Sequence, residues 1–437
     1  MLQQGKTHDR KIAQPLIHEN EQSIIYINLT IHFKQVRKYL LHKNYPIMSF
    51  IRLISLLLRK RKRFKRHQVS MALFETNREI LQSLPPNGKH EKDVILIKTE
   101  DIGDYLLFRT FLPYYSRFYR NKGYKITLLG NLGWKQVFEA YDQDFVDNVI
   151  WLDKSLFIVN KNYTKELFLS LRTYRFAIVI CAERSREIAS SDCLVLATAA
   201  PQKKAPKNTD QNNDFNEISD SIYTDIFSDS WSLEHEFIFN KKFAEWIINT
   251  PIEIDQPLIP ISKRNNTKKI IFNIAASKKT KKWPIDNWIL LIEKIKKIYS
   301  DFELFIIGGH GELKDAEAIQ ATIPIESLVG KLSIPETIAF LSDAHLLITN
   351  DSFALHAAVG LSTKHIIVIA NGNNAFRFSD YGRISSKVIS IYPTYYTQIE
   401  KMITFSSKDK WFYDAPSTDI ATISASDVLE KTIDILH

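Results

Sequence analysis

From residue 93 onward, short runs of apolar residues alternate with stretches whose apolar positions recur every three or four residues. The short runs have the length of buried β-strands, and the stretches between them have the period of amphipathic helices. Strands that alternate with helices form parallel sheets, because a parallel pair of strands needs a long crossover connection. The pattern therefore predicts an α/β protein. The predicted strands are Asp93–Lys98, Lys125–Gly130, Asn148–Leu152, Phe176–Cys181, Lys269–Ala275, Glu303–Gly309, His345–Asn350 and His365–Ala370.

Two stretches interrupt this alternation. Gln202–Asp220 contains few apolar residues, so we expect a surface loop there. Residues 251–269 are charged and marked by prolines, so we place the interdomain linker there. The predicted boundaries are an N-terminal extension over 1–90, a first domain over 91–255 and a second over 256–437. The predicted helices are Tyr105–Tyr119, a helix around Phe243–Ile248, Asp286–Tyr299, Ile334–Leu341 and Ser352–Val359.

Composition fits this two-domain picture. The chain has 437 residues, of which 45% are hydrophobic, so it can bury more than one core. Two cysteines, Cys181 and Cys193, cannot form the disulfide framework of a small secreted protein. A reducing compartment is therefore expected.

Positive charge is concentrated near the start of the chain. The net charge is +9, and seven of the eight residues from Arg59 to Arg66 are Lys or Arg. This block directly follows the apolar stretch Ile47–Leu58, whose twelve residues would rise about 18 Å as a helix and could not cross a bilayer. Residues 47–66 are thus predicted to attach to an anionic membrane surface. The alternative is a solvated basic linker behind a packed helix; Met48 could also be an alternative start.

A nucleic-acid partner is not expected. The chain has no zinc-finger spacing and no ribonucleoprotein signature, and no second basic face supports the block at 59–66.

The first predicted strand runs into the sequence TEDIGDYLL, which places Asp104 at the start of a helix. Gly103 is expected to permit the tight turn before it. Ligands of open α/β sheets bind beyond the carboxyl ends of the strands, so Asp104 is a candidate catalytic base. Alternatively, its carboxylate only stabilises the positive end of the helix dipole.

In the second domain, the loop NIAASKKTKKWP follows the first strand and leads into a helix. The Ser277 hydroxyl, the Lys281 ammonium and the backbone N–H groups of the helix entrance could gather around a phosphate. The alternative is an ordinary lysine-rich loop, since residues 278–282 contain four lysines.

A later strand leads into NDSFALHAAVG, with Asp351 and Ser352 at a helix N-terminus and His356 one turn further on. A hydroxyl and unpaired amides at that end suit a diphosphate, although Asp351 could simply cap the helix and His356 could be a core residue. Gly308, in FIIGGHGE, permits close backbone approach but lacks the full dinucleotide-binding spacing.

Three segments together resemble glycosyltransferase family 9, the heptosyltransferase-like enzymes of bacterial lipopolysaccharide synthesis. They are IKTEDIGDYLL, SKKTKKWP followed by NWILLIEKI, and VGKLSIPETIAFLSDAHLLITNDSFALHAAVG. The segment NGNNAFRFSDYG is also similar to a loop of one branch of the family, whose Arg-Phe pair matches Arg377 and Phe378.

The resemblance implies a GT-B fold, in which two Rossmann-like domains face a central cleft. It also implies that the acceptor binds the first domain and a nucleotide-sugar the second. The family's catalytic aspartate maps onto Asp104, its phosphate-binding lysine onto Lys281, and its Asp-Ser/Thr donor motif onto Asp351 and Ser352.

The sequence departs from the family pattern at two positions. Phe353 stands where many members have Gly, and Thr110 where many have Pro. The first departure removes the simplest route for close approach of the backbone to a phosphate.

A metal-free mechanism is expected. Asp142 and Asp144 match the D-x-D sequence of metal-dependent glycosyltransferases, but they precede a predicted strand, so we interpret them as a surface loop. No cluster of His, Cys and carboxylate residues has metal-ligand spacing. No other cofactor is predicted.

The predicted activity is inverting transfer of a heptose or another hexose-like sugar to a lipopolysaccharide or a related lipid-linked glycan. The reaction would take place at the inner face of the cytoplasmic membrane. Two alternatives stay open: a GT-B-fold nucleotide-sugar epimerase, and a catalytically silent membrane-associated scaffold.

Overall fold

Two parallel six-stranded sheets organise residues 72–437 in the computed structural model. The strand order is β3-β2-β1-β4-β5-β6 in the first sheet and β12-β11-β10-β7-β8-β9 in the second. When the strands of each sheet are numbered from the first strand of that sheet, both orders become 3-2-1-4-5-6, which is the order of a Rossmann-like sheet. We call the two halves the first lobe and the second lobe. The strands are β1 (Asp93–Lys98), β2 (Lys125–Asn131), β3 (Asn148–Leu152), β4 (Ile178–Cys181), β5 (Gln202–Pro206), β6 (Asp225–Phe227), β7 (Lys269–Asn273), β8 (Glu303–Ile307), β9 (Glu326–Ser327), β10 (Leu346–Asn350), β11 (His365–Ile369) and β12 (Val388–Ile391).

Helices cover these sheets, which explains why the central strands are apolar along nearly their whole length. In β1, for example, five of six residues are buried. The helices are α1 (68–82), α2 (Ile102–Phe108), α3 (Leu112–Arg120), α4 (Lys135–Tyr141), α5 (Lys154–Val159), α6 (Lys161–Thr173), α7 (Cys193–Thr198), α8 (Asn213–Ser221), α9 (Glu236–Ile248), α10 (Ile285–Ile298), α11 (Leu313–Thr322), α12 (Ile334–Leu341), α13 (Phe353–Gly360), α14 (Ala375–Phe378), α15 (394–397) and α16 (Ala425–Leu436).

The structure describes residues 68–437, except 87, 89, 209–212, 229–233, 262–267 and 398–417. Of residues 1–71, the structure describes only 68–71. The predicted membrane-surface segment 47–66 and Met48 therefore lie outside the described residues. Within the described ranges, no helix combines the length and the apolar composition needed to cross a bilayer.

The α/β fold with two Rossmann-like lobes confirms the predicted fold class, whereas the domain boundaries stay predictions. The helix predicted over Tyr105–Tyr119 is interrupted: α2 ends at Phe108, and a 3₁₀ turn precedes α3. Pro113 lies in the first turn of α3, where its missing N–H costs no helical hydrogen bond. The sequence therefore starts a new helix there.

The prediction of a surface loop over Gln202–Asp220 was wrong, because the segment contains β5 and most of α8. Its polar side chains pack on a buried arginine instead of an apolar core. Arg186 is 1% exposed and donates hydrogen bonds to Pro206 O, Ser219 and Asp220. Asn208 reinforces this arrangement by donating its side-chain N–H to Arg186 O at 3.0 Å.

One hydrophobic cluster joins the two lobes. It runs from the first sheet through α2 and α9 to α12 and α13 of the second lobe. The segment between the lobes, predicted as a linker, is held on both sides. Arg109 donates to Leu258 O at 2.6 Å, and Ile259 N–H donates to Gly360 O at 2.9 Å. The lobes thus pack as parts of one unit.

Candidate active site

The three principal candidate residues follow strands at the topological switch points of the two sheets. The strands at the switch point are β1 and β4 in the first lobe and β7 and β10 in the second. At that point the crossover connections diverge to opposite faces and leave a crevice, where open α/β sheets bind ligands. Asp104 follows β1, Lys281 follows β7, and Asp351 follows β10.

Asp104 is the third residue of α2 and is partly exposed. Its carboxylate lies within a group of three, because ligand oxygens of Glu100, Asp104 and Glu236 all fall within 4.8 Å of one another. Glu100 belongs to the same strand-to-helix connection, whereas Glu236 begins α9 and is fully buried. The fold thus brings Glu100 close to Glu236, although the two residues are 136 positions apart in the sequence.

Three cations surround these carboxylates. The buried Lys98 pairs with Glu100 and also donates to Ala182 O at 3.0 Å. Glu236 lies 3.5 Å from the Arg184 guanidinium of its own lobe and 2.8 Å from that of Arg377. Arg377 belongs to the second lobe, so the candidate catalytic carboxylate lies beside an ion pair that joins the two lobes.

These charges determine the proton affinities of the cluster. Burial raises the pKa of Asp104 to about 6, while Lys98 and Arg377 lower it and Glu236 raises it further. Burial likewise raises the pKa of Glu100 to about 8. Burial also acts to raise the pKa of Glu236, but Arg377 and Arg184 outweigh it and lower that pKa to about 2. Asp104 is therefore ionised at neutral pH, yet close to the range in which it accepts a proton.

The three carboxylates form the one group of potential metal ligands among the described residues. Sequence spacing could not reveal this group because its members come from two distant segments. In this structure Lys98, Arg184 and Arg377 already balance its negative charge.

Gly103 has a different role from the predicted one. It lies inside α2 and is not among the described glycines with a positive φ, so it makes no special turn. A Cβ at this position would lie 3.1 Å from Cδ2 of His356, which comes from α13 of the second lobe. Glycine therefore leaves room for His356 next to Asp104, and a larger residue would press on the imidazole.

His356 is buried and tied to its own lobe. Its Nδ1 lies 2.7 Å from the Tyr381 hydroxyl. Burial, assisted by the positive charge of Lys281, lowers the pKa of His356 to about 3. The imidazole is thus neutral at physiological pH. It lies between α13, the helix that carries it, and Gly103 of the first lobe.

The structure brings Lys281 and Asp351 together. Lys281 Nζ donates to Asp351 Oδ2 at 2.6 Å, so Asp351 holds the lysine instead of capping α13. Ser352 is the N-cap residue of α13, and its hydroxyl accepts from Asn273 Nδ2 at 2.8 Å. Phe353, the departure from the family pattern, begins α13 with its side chain packed on the hydrophobic cluster. An ammonium, a hydroxyl and the N-terminus of an eight-residue helix therefore meet at one edge.

Ser277 and Gly308 lie further from this pair. Ser277 is exposed in the loop after β7. Gly308 follows the neighbouring strand β8 and faces Glu312, which pairs with Lys282 at 3.1 Å. Both residues therefore border the lysine loop without contacting Lys281 or Asp351 in any hydrogen bond among those described.

Two asparagines fix the shape of the lysine loop. Asn350, the last residue of β10, accepts from Trp283 N at 3.1 Å and donates to Ile274 O at 2.9 Å. Asn371 donates to Thr280 O at 2.8 Å. These contacts hold the backbone on both sides of Lys281.

The interpretation of the D-x-D sequence as a surface loop was wrong for Asp142. This residue is 1% exposed and accepts from Arg109 Nε at 2.8 Å, from its terminal nitrogen at 2.7 Å and from the Tyr105 hydroxyl at 2.6 Å. Asp144 is exposed, as expected. Asp142 is committed to a buried ion pair beneath α2, since both of its oxygens are occupied.

Sequence reasoning missed Lys98, Glu100, Arg184 and Glu236. Two signals were present: Lys98 ends an otherwise apolar strand, and Glu236 precedes the apolar run FIF in a helix that was predicted to start seven residues later. Neither signal reveals which distant residues would pair.

The fold and the site together define a two-lobed, GT-B-type protein with a carboxylate cluster on one lobe and a cationic, hydroxyl-bearing pocket on the other. The sequence model described as glycosyltransferase family 9 (heptosyltransferase) matches residues 166–391. The chain belongs to this family, which confirms the resemblance and places it among the glycosyltransferases. The matched range includes Lys281, Asp351 and Arg377 but not Asp104.

A curated relative, lipopolysaccharide heptosyltransferase 1 of Campylobacter coli, is 28% identical over 122 residues. That match spans 26% of this chain and 35% of the relative. The chain thus matches about a third of the length of this curated relative.

Solved structures share the fold. A family 9 glycosyltransferase from Veillonella parvula has 18% identity and a TM-score of 0.59 over 79% of this chain and 97% of that one. The E. coli heptosyltransferase WaaC with ADP-2-deoxy-2-fluoro heptose has 15% identity and a TM-score of 0.57 over 79% and 100%. The E. coli ADP-heptose lipopolysaccharide heptosyltransferase II has 14% identity and a TM-score of 0.55 over 79% and 98%.

Proposed function

We propose that the protein transfers a heptose, or a similar hexose-like sugar, from a nucleotide-sugar to a lipopolysaccharide or related lipid-linked glycan. One observation carries the proposal. His356 lies four residues beyond Ser352, the N-cap residue of α13, and a Cβ built on Gly103, the neighbour of Asp104, would lie 3.1 Å from Cδ2 of His356. Four residues of helix rise about 6 Å, so the pocket for the phosphates and the candidate base lie about one helical turn apart across the lobe boundary.

In the proposed reaction, the acceptor hydroxyl gives its proton to the Asp104 carboxylate while its oxygen attacks the anomeric carbon. The bond between that carbon and the phosphate oxygen breaks, and the nucleoside diphosphate leaves with the electron pair. Attack opposite to the leaving group inverts the anomeric configuration. A pKa near 6 suits Asp104 to accept a proton near neutral pH.

Lys281, Ser352 and the N-terminus of α13 would stabilise the departing diphosphate, with Ser277 and Gly308 at the border of the pocket. Lys281 is paired with Asp351. A diphosphate would provide Lys281 with a second anionic partner, and charge-assisted hydrogen bonds of this kind are the stronger ones. Protein groups alone then carry the leaving-group charge, so the reaction needs no metal.

The protein would work at the inner face of the cytoplasmic membrane, because its acceptor is lipid-linked. Residues 47–66 would attach it there through their seven basic residues and their apolar stretch. Replacing those seven residues with Gln should release the protein from anionic vesicles, and undiminished binding would refute this anchor.

The test is a screen of nucleotide-sugars with the purified protein and extracted lipopolysaccharide precursors, read by mass spectrometry. We expect one donor to add a single sugar to an acceptor. The anomeric configuration of the product, read by NMR, should be opposite to that of the donor. Absence of transfer with every donor and acceptor would refute the proposal.

Two control reactions separate the alternatives. Incubation of the donor without acceptor should leave it unchanged, whereas conversion to an epimer would indicate a nucleotide-sugar epimerase. A chelator such as EDTA should leave the transfer rate unchanged, and loss of activity that Mg²⁺ or Mn²⁺ restores would show that Glu100, Asp104 and Glu236 bind a catalytic cation.

A further inference from the structure

Helix α5 of the first lobe carries three exposed aliphatic side chains within four positions. Leu156, Ile158 and Val159 are 39%, 58% and 78% exposed, while Phe157 is buried and anchors the helix to the core. Single exposed apolar residues are normal on a protein surface, but a contiguous set marks a contact surface. We call Leu156, Ile158 and Val159 the α5 tip.

The apolar surface extends beyond the α5 tip. A cavity of about 250 Å³ opens beside it, with Leu73 of α1 and Phe157 among its lining residues. Leu132, 45% exposed, follows β2, and β2 pairs in parallel with β3, which leads into α5. Leu132 and the α5 tip therefore follow adjacent strands at the same edge of the sheet.

This edge also bears the candidate catalytic motif. Lys154, the first residue of α5, places its Nζ 3.8 Å from Oδ1 of Asp101. Asp101 is the N-cap residue of α2 and precedes Asp104 by three positions. The α5 tip therefore lies on the acceptor side of the proposed reaction.

The composition of this edge indicates its partner. Residues 154–165 contain three lysines, of which Lys161 and Lys165 are exposed, and the flanking acidic residues are Asp153, which caps α5, and the exposed Glu166. Contacts between proteins favour aromatic residues and arginine and disfavour lysine. Aliphatic side chains beside lysines fit an anionic lipid surface, where the apolar groups enter the boundary of the acyl chains and the ammonium groups meet headgroup phosphates.

We propose that the α5 tip inserts into the headgroup region of an anionic bilayer and thereby brings the membrane-embedded acceptor to Asp104. The part concerning the acceptor rests on the proposed function, whereas the contact with the bilayer does not. The contact is distinct from the predicted attachment through residues 47–66.

A fluorescent probe at the tip tests the contact directly. An environment-sensitive dye on Val159→Cys can be attached selectively, because Cys181 and Cys193 are fully buried. We expect its emission to shift to shorter wavelength and at least double on addition of vesicles of phosphatidylglycerol and phosphatidylethanolamine. The matched control is the same dye on Leu290→Cys, an exposed site on α10 of the second lobe, which should respond far less.

The same small response at both positions would overturn the proposal. So would a probe at position 159 that is already shielded without vesicles, since that would place another segment of this chain on the tip. A probe response that grows with protein concentration instead of lipid would assign the tip to a second copy and overturn it as well.

A second measurement connects the contact to turnover. In the double variant Ile158→Glu/Val159→Glu, the ratio of turnover with vesicle-embedded acceptor to turnover with the same acceptor in detergent should fall at least tenfold. The control Leu290→Glu/Ile298→Glu should keep the wild-type ratio, and an unchanged ratio in the tip variant would overturn the delivery role. Absence of turnover under all conditions would refute the proposed function, while the probe would still decide the bilayer contact.

Discussion

The two lobes have the same strand order but form their halves of the site differently. In the first lobe, Asp104 lies among buried or partly buried charges that come from β1, the segment after β4 and the start of α9. In the second lobe, two short motifs supply one ion pair, Lys281 with Asp351, and a hydroxyl at a helix N-terminus. One half is a cluster of several interacting charges, and the other is a single ion pair beside a partly exposed hydroxyl.

This difference indicates a division of labour. Burial and opposing charges shift a pKa strongly, so the first lobe is suited to proton transfer. In the proposed reaction, the second lobe presents hydrogen-bond donors to an anion that binds and then leaves, a role that depends on the number of donors more than on an altered pKa. Substitutions in each lobe test this contrast, and the largest effect is expected at Asp104.

Removing the base should abolish turnover without affecting donor binding. In Asp104→Asn, we expect kcat to fall by roughly 10²- to 10⁴-fold, which is the usual contribution of a positioned general base. Calorimetry should give a donor affinity within about twofold of wild type. The control Asp101→Asn changes an exposed carboxylate of the same motif and should retain most activity. Near-normal turnover in Asp104→Asn would place the base elsewhere.

A buried charge that has no catalytic role should affect stability alone. Asp142→Asn leaves the Arg109 guanidinium without its anionic partner, and breaking a buried ion pair costs about 3–5 kcal/mol. Urea unfolding should show this loss, while kcat of the folded protein stays near wild type. Asp144→Asn, two residues away and exposed, should change the unfolding free energy by less than about 0.5 kcal/mol. Loss of activity in Asp142→Asn at unchanged stability would indicate a metal-binding role instead.

Replacing Lys281, the proposed phosphate-binding residue, should reduce activity less than replacing Asp104. In Lys281→Ala, the loss of a charge-assisted hydrogen bond of about 1.5–3 kcal/mol corresponds to a decrease of roughly 10- to 150-fold in kcat/KM. Lys279→Ala, an exposed lysine of the same loop, is the matched control. Equal kinetics for the two variants would mean that the loop acts through general positive charge and not through Lys281.

The two residues of the ion pair between the lobes, Glu236 and Arg377, should shift the pKa of Asp104 in opposite directions. Asp104 acts as a base when ionised, so activity is present above its pKa of about 6 and is lost as the pH falls through that value. Glu236→Gln removes a negative charge and should lower the pKa of Asp104, which moves the acid limb of kcat/KM to lower pH. Arg377→Met removes a positive charge and should move that limb to higher pH. Shifts in the same direction would show that the pair acts only as a structural link.

Much of the fold could be predicted from the sequence, because apolar runs and helical periods are local. Strands β1 to β4 and β7, β8, β10 and β11 were identified within about two residues at each end. β5 was missed because Lys203 and Lys204 conceal it, although backbone pairing with β4 and β6 fixes it in the sheet. A single sequence cannot show such pairing.

Part of the candidate site could likewise be predicted from the sequence, and part could not. Lys281 and Asp351 come from motifs that each follow a recognisable strand, so their proximity follows from the strand order. The charged neighbours of Asp104 could not be predicted in this way. Glu236 and Arg184 lie more than 70 positions away in the sequence and reach the site only through tertiary packing. Gly103 shows the same limit, because the side chain that leaves little space there, His356, belongs to the other lobe.

The proposed chemistry depends on Asp104, whose buried surroundings raise its pKa to about 6, acting as the base of a glycosyl transfer. The pH dependence of kcat/KM for the wild-type protein between pH 4.5 and 8.5 tests this role, with the donor and acceptor that the screen identifies. We expect kcat/KM to fall as the pH is lowered through about 6, approaching a tenfold fall per pH unit once Asp104 is protonated. A profile that is flat through pH 6 would contradict the assignment.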